Sequence, residues 1–219
     1  MKMPKFNDLI NKVIAKYSGV NSEHYWNSRF NRDWEKNNGR LQTGIYATGF
    51  LMNVHNIDSD IKSILDYGCG SGDSFPFLKM KFNSAKFYYY DFSKTAMNKV
   101  ANYYSHIADS IEFPINRKFE LVYCSNVIEH LDSPKDLITE LADISSRYLI
   151  IQAPFDERHL DGSVISLDNP KGEHFHTINL ELLNEKELGF EWSTHVFKVY
   201  NAKNSPDQII FVGEKNPST

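Results

Sequence analysis

The chain has 219 residues, a length that fits one domain or one domain with an N-terminal addition. Its formal net charge is −4 and its charges are mixed along the chain, so no basic stripe favours a nucleic acid held by its phosphates. No apolar run approaches the roughly 18 residues of a membrane span, and no signal-peptide pattern follows Met1. We therefore expect a cytoplasmic protein with no membrane partner and no nucleic-acid partner. The two cysteines, Cys69 and Cys124, are interpreted as small packing residues in a reducing compartment.

The first 58 residues predict a helical cap. An apolar stripe predicts an amphipathic helix over residues 1–19, and helical periodicity returns over residues 46–54. The segment 39–44 contains two glycines and is expected to interrupt the helical pattern. We predict a cap over residues 1–58 that covers the mouth of a ligand site, followed by a ligand-binding domain over residues 59–219.

Strand-like and helix-like segments alternate after the cap. Such alternation implies an α/β fold with a parallel sheet and right-handed crossovers. We predict a seven-stranded, mostly parallel sheet flanked by helices, with the last strand antiparallel. The segment 109–119 is too short for a crossover helix, and residues 155–175 predict a long loop. The predicted strands are 63–67, 86–91, 106–109, 119–124, 147–153, 190–200 and 208–212, and the predicted helices are 73–82, 94–104, 133–145 and 178–186.

The most informative motif is a glycine-rich turn after the first predicted strand. Residues 63–73 are Ser-Ile-Leu-Asp-Tyr-Gly-Cys-Gly-Ser-Gly-Asp, in which an apolar run ends at Asp66 and three glycines alternate. Alternating glycines let the backbone turn sharply and approach a ligand closely at the start of a helix. A dinucleotide fingerprint has the spacing G-x-G-x-x-G, but Asp73 stands at the third glycine position, and no P-loop Gly-Lys-Ser/Thr follows. The Asp66 carboxylate would repel a pyrophosphate and attract an ammonium group.

A second acid ends the next predicted strand. Asp91 follows the aromatic run 86–90 and stands 25 residues after Asp66. An acid in this place is suited to bind the two hydroxyls of a ribose. Together the two motifs predict a site for an adenosine-containing cofactor that carries a cationic group.

With these motifs the chain resembles the class I, Rossmann-like S-adenosylmethionine-dependent methyltransferases of the type that acts on small molecules. The resemblance covers residues 64–190 and depends on the segments 65–72, 90–93, 107–110 and 119–131. It implies S-adenosylmethionine as the cofactor, with Phe92 against the adenine and with Asp109 and Ser110 bonded to it. Arg40 in the predicted cap is a further candidate, because a guanidinium suits the methionine carboxylate. The residues that the resemblance places against the cofactor are Asp66, Tyr67, Gly68, Cys69, Gly70, Gly72, Asp91, Phe92, Asp109, Ser110 and Ser125.

Histidines supply the candidates for catalysis. Methyl transfer to an alcohol needs a general base or a metal ion, whereas an amine needs little more than deprotonation. His130 follows the fourth predicted strand, at the strand ends that face ligands in such folds, and is the leading catalytic candidate. The resemblance places the loop after the fifth strand against the substrate, so His174 is a second catalytic candidate and His176 a substrate contact. Tyr25 in the cap is another candidate substrate contact.

Glu129, His130 and His174 would also suit a divalent metal, because carboxylate and imidazole are ligands for Mn, Fe or Zn. Glu129-His130 resembles part of the Glu-x-x-Glu-His metal motif of small-RNA 2′-O-methyltransferases and the related ubiquinone-pathway O-methyltransferases. Asn126 stands in place of the first acid of that motif. Because an asparagine ligates more weakly and without charge, metal-free catalysis is the default expectation.

The motifs together predict a methyltransferase that acts on a small molecule, and the leading hypothesis is oxygen methylation of a sugar or sugar nucleotide. The density of histidine and carboxylate favours a hydroxyl acceptor over an amine. Three alternatives stay open: N-methylation of an amine or amino sugar, a non-catalytic cofactor-binding module that regulates a partner, and a nicotinamide-dependent oxidoreductase.

Overall fold

Helices and strands alternate along the computed structural model, which describes residues 19–199 and 206–215. The helices are α1 Glu23–Arg32, α2 Gly39–Asn53, α3 Phe75–Lys81, α4 Lys94–Tyr104 and α5 Pro134–Ile144, with a 3₁₀ turn at Ile128–His130. The strands are β1 Ser63–Tyr67, β2 Lys86–Tyr90, β3 Ala108–Ser110, β4 Phe119–Ser125, β5 Ser145–Pro154, β6 Lys186–Glu187, β7 Phe190–Phe197 and β8 Gln208–Lys215. Within these residues no helix is long and apolar enough to span a bilayer.

All eight strands form one sheet in the order β3-β2-β1-β4-β5-β8-β7-β6. Strands β1 to β5 pair in parallel, and β8, β7 and β6 continue the sheet as antiparallel strands. The predicted α/β class with a mostly parallel sheet is confirmed. The predicted count of seven strands is corrected to eight within the described ranges, because the short β6 pairs with β7. Tyr67 lies opposite Tyr90 on one side and Cys124 on the other, so β1, β2 and β4 end together.

Helices α4 and α5 begin within one residue of their predicted starts, and α3 begins two residues after its predicted start. Ser93 caps α4, since its hydroxyl oxygen accepts a hydrogen bond from the Ala96 amide at 3.2 Å. Pro134 opens α5, a position at which the missing amide hydrogen costs nothing. As predicted, no helix connects β3 to β4.

The helix predicted over residues 178–186 is wrong. Turns occupy most of that segment, followed by β6. Asn179 accepts a hydrogen bond from the Glu181 amide through its own side chain, and this local bond competes with helical bonding. Leu188 and Gly189 both have positive φ and form the two-residue turn between β6 and β7. Ile178 and Leu183 pack into the core without helical structure, whereas Leu180 is exposed.

The interruption predicted at residues 39–44 is also wrong, because α2 runs through it. A Cβ atom on Gly39 would lie 2.4 Å from the Trp34 ring, and one on Gly44 would lie 2.9 Å from Phe77. These glycines therefore let aromatic rings pack against the helix, and that packing offsets their low helix propensity. The amphipathic helix predicted over residues 1–19 lies outside the described residues, apart from Gly19.

Helix α2 packs directly onto the sheet. Phe50 is fully buried, and its ring centroid lies 5.3 Å from that of Tyr123 on β4. Phe50 and Val54 belong to the same hydrophobic cluster as residues of β1, β2, β4 and β5. The part of the predicted cap nearest the sheet thus shares its core, and the domain boundary at residue 58 stays a prediction.

We expect Phe50→Ala to lower the free energy of unfolding by about 3–5 kcal/mol, because it leaves a cavity between α2 and the sheet. Met52→Ala on the same helix is the matched control. Its side chain is 68% exposed, so we expect a change within about 0.5 kcal/mol. Urea unfolding followed by circular dichroism measures both. Equal effects for the two variants would contradict the packing of α2 on the sheet.

Candidate functional site

A cavity of about 450 Å³ opens at the edge where the parallel strands end. The loops after β1, β2 and β4 form its floor, and residues of α1, α2 and the long loop after β5 form its roof. Since ligands of open α/β sheets bind at the carboxyl ends of the strands, this cavity is the candidate site.

The glycine-rich turn forms one wall of the cavity and is tied to the next strand. The amides of Gly68 and Cys69 donate to the Tyr90 carbonyl at 2.8 and 3.2 Å. Gly68 has φ of +72°, and a Cβ atom there would lie 2.3 Å from a methyl carbon of Val127. Gly70 has φ of +54°, and its amide donates to the Asp91 carboxylate at 3.0 Å. The turn thus brings backbone, with no intervening side chain, to the cavity wall.

Two buried carboxylates line the same wall. Asp91 is held by the amides of Gly70 and Ser93, the latter at 2.8 Å. Asp66 accepts a hydrogen bond from the Ser74 hydroxyl. Burial raises the pKa of Asp66 to about 7 and that of Asp91 to about 6, although these hydrogen bonds oppose the shift. In the protein without ligand, both carboxylates therefore take up protons just below neutral pH.

The structure brings most of the predicted cofactor residues to the cavity. Arg40 is not among the lining residues, because its Nε donates to Asp73 at 2.8 Å and its Nη2 to the Tyr104 hydroxyl at 3.3 Å. Asp109 lies 2.9 Å from Lys86 Nζ, and both side chains are more than half exposed. The predicted residues that line the cavity are Asp66, Tyr67, Gly68, Cys69, Gly70, Asp91, Phe92 and Ser125, and those outside the lining are Arg40, Gly72, Asp109 and Ser110.

Glu129, His130 and His174 meet in the same cavity, and we call them the Glu-His-His cluster. One potential ligand atom from each lies within 4.8 Å of the other two. Glu129 is 1% exposed, and neither carboxylate oxygen has a hydrogen-bond partner among the described residues. Burial raises the pKa of Glu129 to about 7. Folding therefore removes the Glu129 carboxylate from water without supplying a hydrogen-bond donor from the described residues.

Groups behind the cluster orient both imidazoles. The Nδ1 atom of His130 lies 2.9 Å from the Glu173 carbonyl oxygen, which can only accept, so Nδ1 carries the hydrogen and Nε2 has a lone pair. Burial and nearby His174 lower the pKa of His130 to about 3, so its 3.8 Å approach to Glu129 is not an ion pair. His174 donates from Nδ1 to Glu157. Burial opposes protonation of His174, but Glu157 and Glu129 outweigh it and raise its pKa.

The sequence does not predict the contacts that join α1, and Asn21 just before it, to the cluster. Asn21 Nδ2 donates to the carbonyls of His130 and Glu173, at 2.9 and 2.8 Å. Arg29 Nε lies 3.2 Å from a Glu173 carboxylate oxygen, and the Tyr25 hydroxyl donates to that same oxygen. These partners stand more than 100 residues apart in the chain, and no local pattern marks them.

Two residues predicted to touch the substrate have other contacts. The Tyr25 hydroxyl is engaged with Glu173, and Tyr25 does not line the cavity. His176 lies outside the lining, with Nε2 3.2 Å from the Asp132 carbonyl oxygen. Trp26 does line the cavity, and its ring meets that of His130 edge-on at 5.1 Å.

Comparisons with known proteins agree with this architecture. A family model described as a methyltransferase domain matches residues 26–192. No curated protein is similar enough to the chain to count as a match.

Several solved structures share the fold at low sequence identity. The plantazolicin methyltransferase BpumL in complex with SAH is 12% identical with a TM-score of 0.61, over 97% of this chain and 98% of that chain. The magnesium protoporphyrin IX methyltransferase ChlM from Synechocystis PCC 6803 with bound SAM is 16% identical with a TM-score of 0.54, over 98% and 100%. An O-methyltransferase family protein from Burkholderia thailandensis is 10% identical with a TM-score of 0.59, over 96% and 70%. At these identities the likeness supports the fold alone.

The contact between Gly68 and Val127 predicts a large effect of Gly68→Ala. Strain from positive φ lowers the free energy of unfolding by about 1–2 kcal/mol, and displacement of Val127 adds about 1–3 kcal/mol. Gly162→Ala is the matched control, because Gly162 has φ of +82° but no atom within 4 Å of the added Cβ. Urea unfolding of the two variants separates strain from crowding. Equal losses would show that Val127 does not restrict residue 68.

Proposed function

Because the chain belongs to the methyltransferase-domain family, whose model matches residues 26–192, we propose that it transfers a methyl group from S-adenosylmethionine to a hydroxyl of a small molecule. The family assignment confirms the resemblance to class I S-adenosylmethionine-dependent methyltransferases that the glycine-rich turn indicated. Methylation of an oxygen atom and a sugar-type acceptor are proposals that go beyond the family assignment.

The cavity wall suits this cofactor. Asp91 has one carboxylate oxygen on the Gly70 amide and the other on the Ser93 amide, which directs it towards a ribose diol. Asp66 offers a buried carboxylate to an ammonium group, and no lysine or arginine forms an ion pair with it in the described part of the chain. Gly68 and Gly70 themselves present backbone without a side chain to the cavity. When bound, S-adenosylmethionine supplies a methyl group already activated on a sulfonium, so the protein must align an acceptor and take its proton.

The Glu-His-His cluster is the observation that best supports methylation of an oxygen atom. An amine near neutral pH needs little help to lose a proton, whereas a hydroxyl needs a base or a metal ion. A buried carboxylate and two oriented imidazoles face the same cavity as the glycine-rich turn. We assign the hydroxyl to this end of the cavity, with His130 and His174 as the catalytic histidines that contact it. Glu129, whose pKa burial raises to about 7, is the group of the cluster suited to take the proton.

The cavity lining supports a sugar-type acceptor. Trp26, Phe30 and Trp34 contribute aromatic surface, and Gln42 and Asn126 contribute hydrogen-bonding groups. A sugar presents apolar C–H faces and a rim of hydroxyls, which such a mixed lining can hold. The plantazolicin and magnesium protoporphyrin IX methyltransferases are named for different acceptors, so we infer the acceptor of this chain from the residues that line its own cavity.

Calorimetric titration of S-adenosylmethionine and S-adenosylhomocysteine into the purified protein tests the cofactor. We expect micromolar binding of both, and no binding of either would overturn the proposal. Transfer of a labelled methyl group to a panel of sugars, sugar nucleotides and matched amino sugars then tests the acceptor. Mass spectrometry of the product locates the methylated atom, and methylation of nitrogen alone would exclude the hydroxyl acceptor.

Cofactor affinity should depend on pH through Asp66 and Asp91. A ligand that needs ionised carboxylates binds best above their raised pKa values, so affinity should be greatest above about pH 7. Below about pH 6 it should fall by about tenfold per pH unit for each carboxylate that must lose a proton. Asp91→Asn should weaken binding at pH 8 and remove the step near pH 6. A pH-independent affinity in the unmodified protein would contradict these roles.

We expect His130→Ala to lower kcat by about 10²-fold or more while cofactor affinity stays within about threefold. His106→Ala is the control, because His106 is exposed and does not line the cavity. Steady-state kinetics and calorimetry measure the two quantities. An unchanged kcat for His130→Ala would remove the cluster from the chemistry and favour the N-methylation alternative.

A further inference from the structure

Most buried polar side-chain atoms that lack a hydrogen-bond partner in the described part of the chain belong to residues of the cavity lining. These atoms are Asn21 Oδ1, Arg29 Nε, Trp34 Nε1 and both carboxylate oxygens of Glu129. Buried polar groups are nearly always hydrogen-bonded, so such atoms beside a cavity indicate partners that a ligand supplies. Asn21 and Glu129 contribute acceptors, and Arg29 Nε lies 3.2 Å from a carboxylate oxygen of Glu173. The Trp34 indole N–H is therefore the donor of this set that has neither a hydrogen bond nor an ion pair.

Trp34 lies at the end of the cavity that the glycine-rich turn forms. Its ring packs against Gly39 at the start of α2, where an added Cβ atom would overlap it. It also packs against Phe30 of α1, with the ring centroids 4.9 Å apart. A carbon of the Phe30 ring lies 3.3 Å from the position that a Cβ atom would take on Gly70. These contacts place the indole close to the turn.

The proposed cofactor has an amino-acid group at this end of the cavity. Asp66, which ends the strand before the turn, is the carboxylate that we assign to its ammonium group. The carboxylate of the same amino acid is attached to the same carbon, so it lies beside that ammonium. It carries no hydrogen and can only accept hydrogen bonds. In a wall that already contains the buried carboxylates of Asp66 and Asp91, it requires donors from the protein.

The two arginines closest to this question have other partners. Arg40, the carboxylate ligand that the sequence predicts, donates to Asp73 and to the Tyr104 hydroxyl. Arg29 lines the cavity, but its guanidinium is paired with Glu173, whose carbonyl oxygen contacts the Glu-His-His cluster. Neutral donors at the glycine-rich end are therefore the better candidates.

Gln42 supplies a second neutral donor. It lies in the first turn of α2, three residues after the glycine that contacts Trp34, and it lines the cavity. A side-chain amide has two hydrogens to donate. Gln42 Nε2 donates one to the Tyr46 hydroxyl at 2.6 Å, and the other has no partner among the described residues. Trp34 and Gln42 thus offer two uncharged N–H groups to one ligand.

We propose that Trp34 Nε1 and Gln42 Nε2 donate to the carboxylate of the cofactor and make the site selective for S-adenosyl compounds that carry it. The inference rests on the proposed function, because it takes S-adenosylmethionine as the cofactor. Trp34 Nε1 is closed to water, so the contact forms through a shift of the ring or of the turn 33–38 that carries it. A hydrogen bond to an ionised acceptor is stronger than one between neutral groups, so two N–H donors suffice to distinguish the carboxylate.

Calorimetric titration with three thioethers tests the assignment. S-adenosylhomocysteine carries the ammonium and the carboxylate, its decarboxylated analogue carries the ammonium alone, and 5′-methylthioadenosine carries neither. Trp34→Phe keeps an aromatic ring in place and removes the N–H. We expect it to weaken binding of S-adenosylhomocysteine by about 10–100-fold, and binding of the other two by less than about threefold.

Two further variants make the test independent of the folding of Trp34→Phe. Gln42→Leu, at an exposed position, should show the same selectivity with a smaller loss, about 3–10-fold. Trp192→Phe is the matched control, because Trp192 Nε1 donates to the Glu187 carbonyl and the residue lies outside the cavity lining. Its affinities for the three thioethers should equal those of the unmodified protein.

The indole N–H also gives a direct signal in ¹H–¹⁵N NMR spectra. The chain has three tryptophans, and the signal that Trp34→Phe removes is that of Trp34. We expect S-adenosylhomocysteine to move this signal further downfield than its decarboxylated analogue does, because an ionised acceptor deshields the proton. A role in packing alone would give the same shift with both ligands.

The outcomes separate the two proposals. Equal losses for all three thioethers in Trp34→Phe, or no loss for any, would overturn the carboxylate contact and leave the proposed function intact. A selective loss of S-adenosylhomocysteine in Arg40→Met, with none in Trp34→Phe, would return the role to Arg40. Failure of the unmodified protein to bind both S-adenosylmethionine and S-adenosylhomocysteine would overturn the proposed function itself.

Discussion

The parallel pairing of β1 with both β2 and β4 is the constraint on which the site depends. Tyr67 lies opposite Tyr90 and Cys124, so the residues that follow all three strands leave the sheet at one edge. The amides of the glycine-rich turn then reach the Tyr90 carbonyl, while Val127 fills the space that a side chain at Gly68 would need. A register shift of one residue would turn each side chain to the other face of the sheet and separate these groups.

Three buried carboxylates dominate the electrostatics of the cavity. Asp66, Asp91 and Glu129 are all buried against it, and burial raises the pKa of each. No lysine or arginine in the described ranges forms an ion pair with any of the three, and Arg29, which does line the cavity, is paired with Glu173. Such a cavity favours positively charged ligands, because each one restores the ionised form of a carboxylate that burial opposes. A sulfonium cofactor with an ammonium group meets this requirement.

Glu173 couples the roof of the cavity to the Glu-His-His cluster. Its carboxylate binds Tyr25 and Arg29 of α1, while its carbonyl accepts from Asn21 and from the His130 ring. One residue therefore contacts both α1 and the ring nitrogen that sets the His130 tautomer.

Local patterns in the sequence determined the succession of parallel strands and central helices along the chain. They also determined the glycine-rich turn and the acids that end β1 and β2. These features follow from periodicity and turn chemistry, which act over a few residues. The tertiary structure decided what depends on distant partners. The glycines of α2 are helical because Trp34 and Phe77 pack against them, and the tautomers of His130 and His174 depend on groups 43 and 17 residues away. Arg40, a cofactor candidate by its chemistry, lies with Asp73 because the fold brings α2 against the turn before α3. Propensity and motif spacing carry no information about such contacts, since the free energy that settles them comes from burial and pairing across the folded chain.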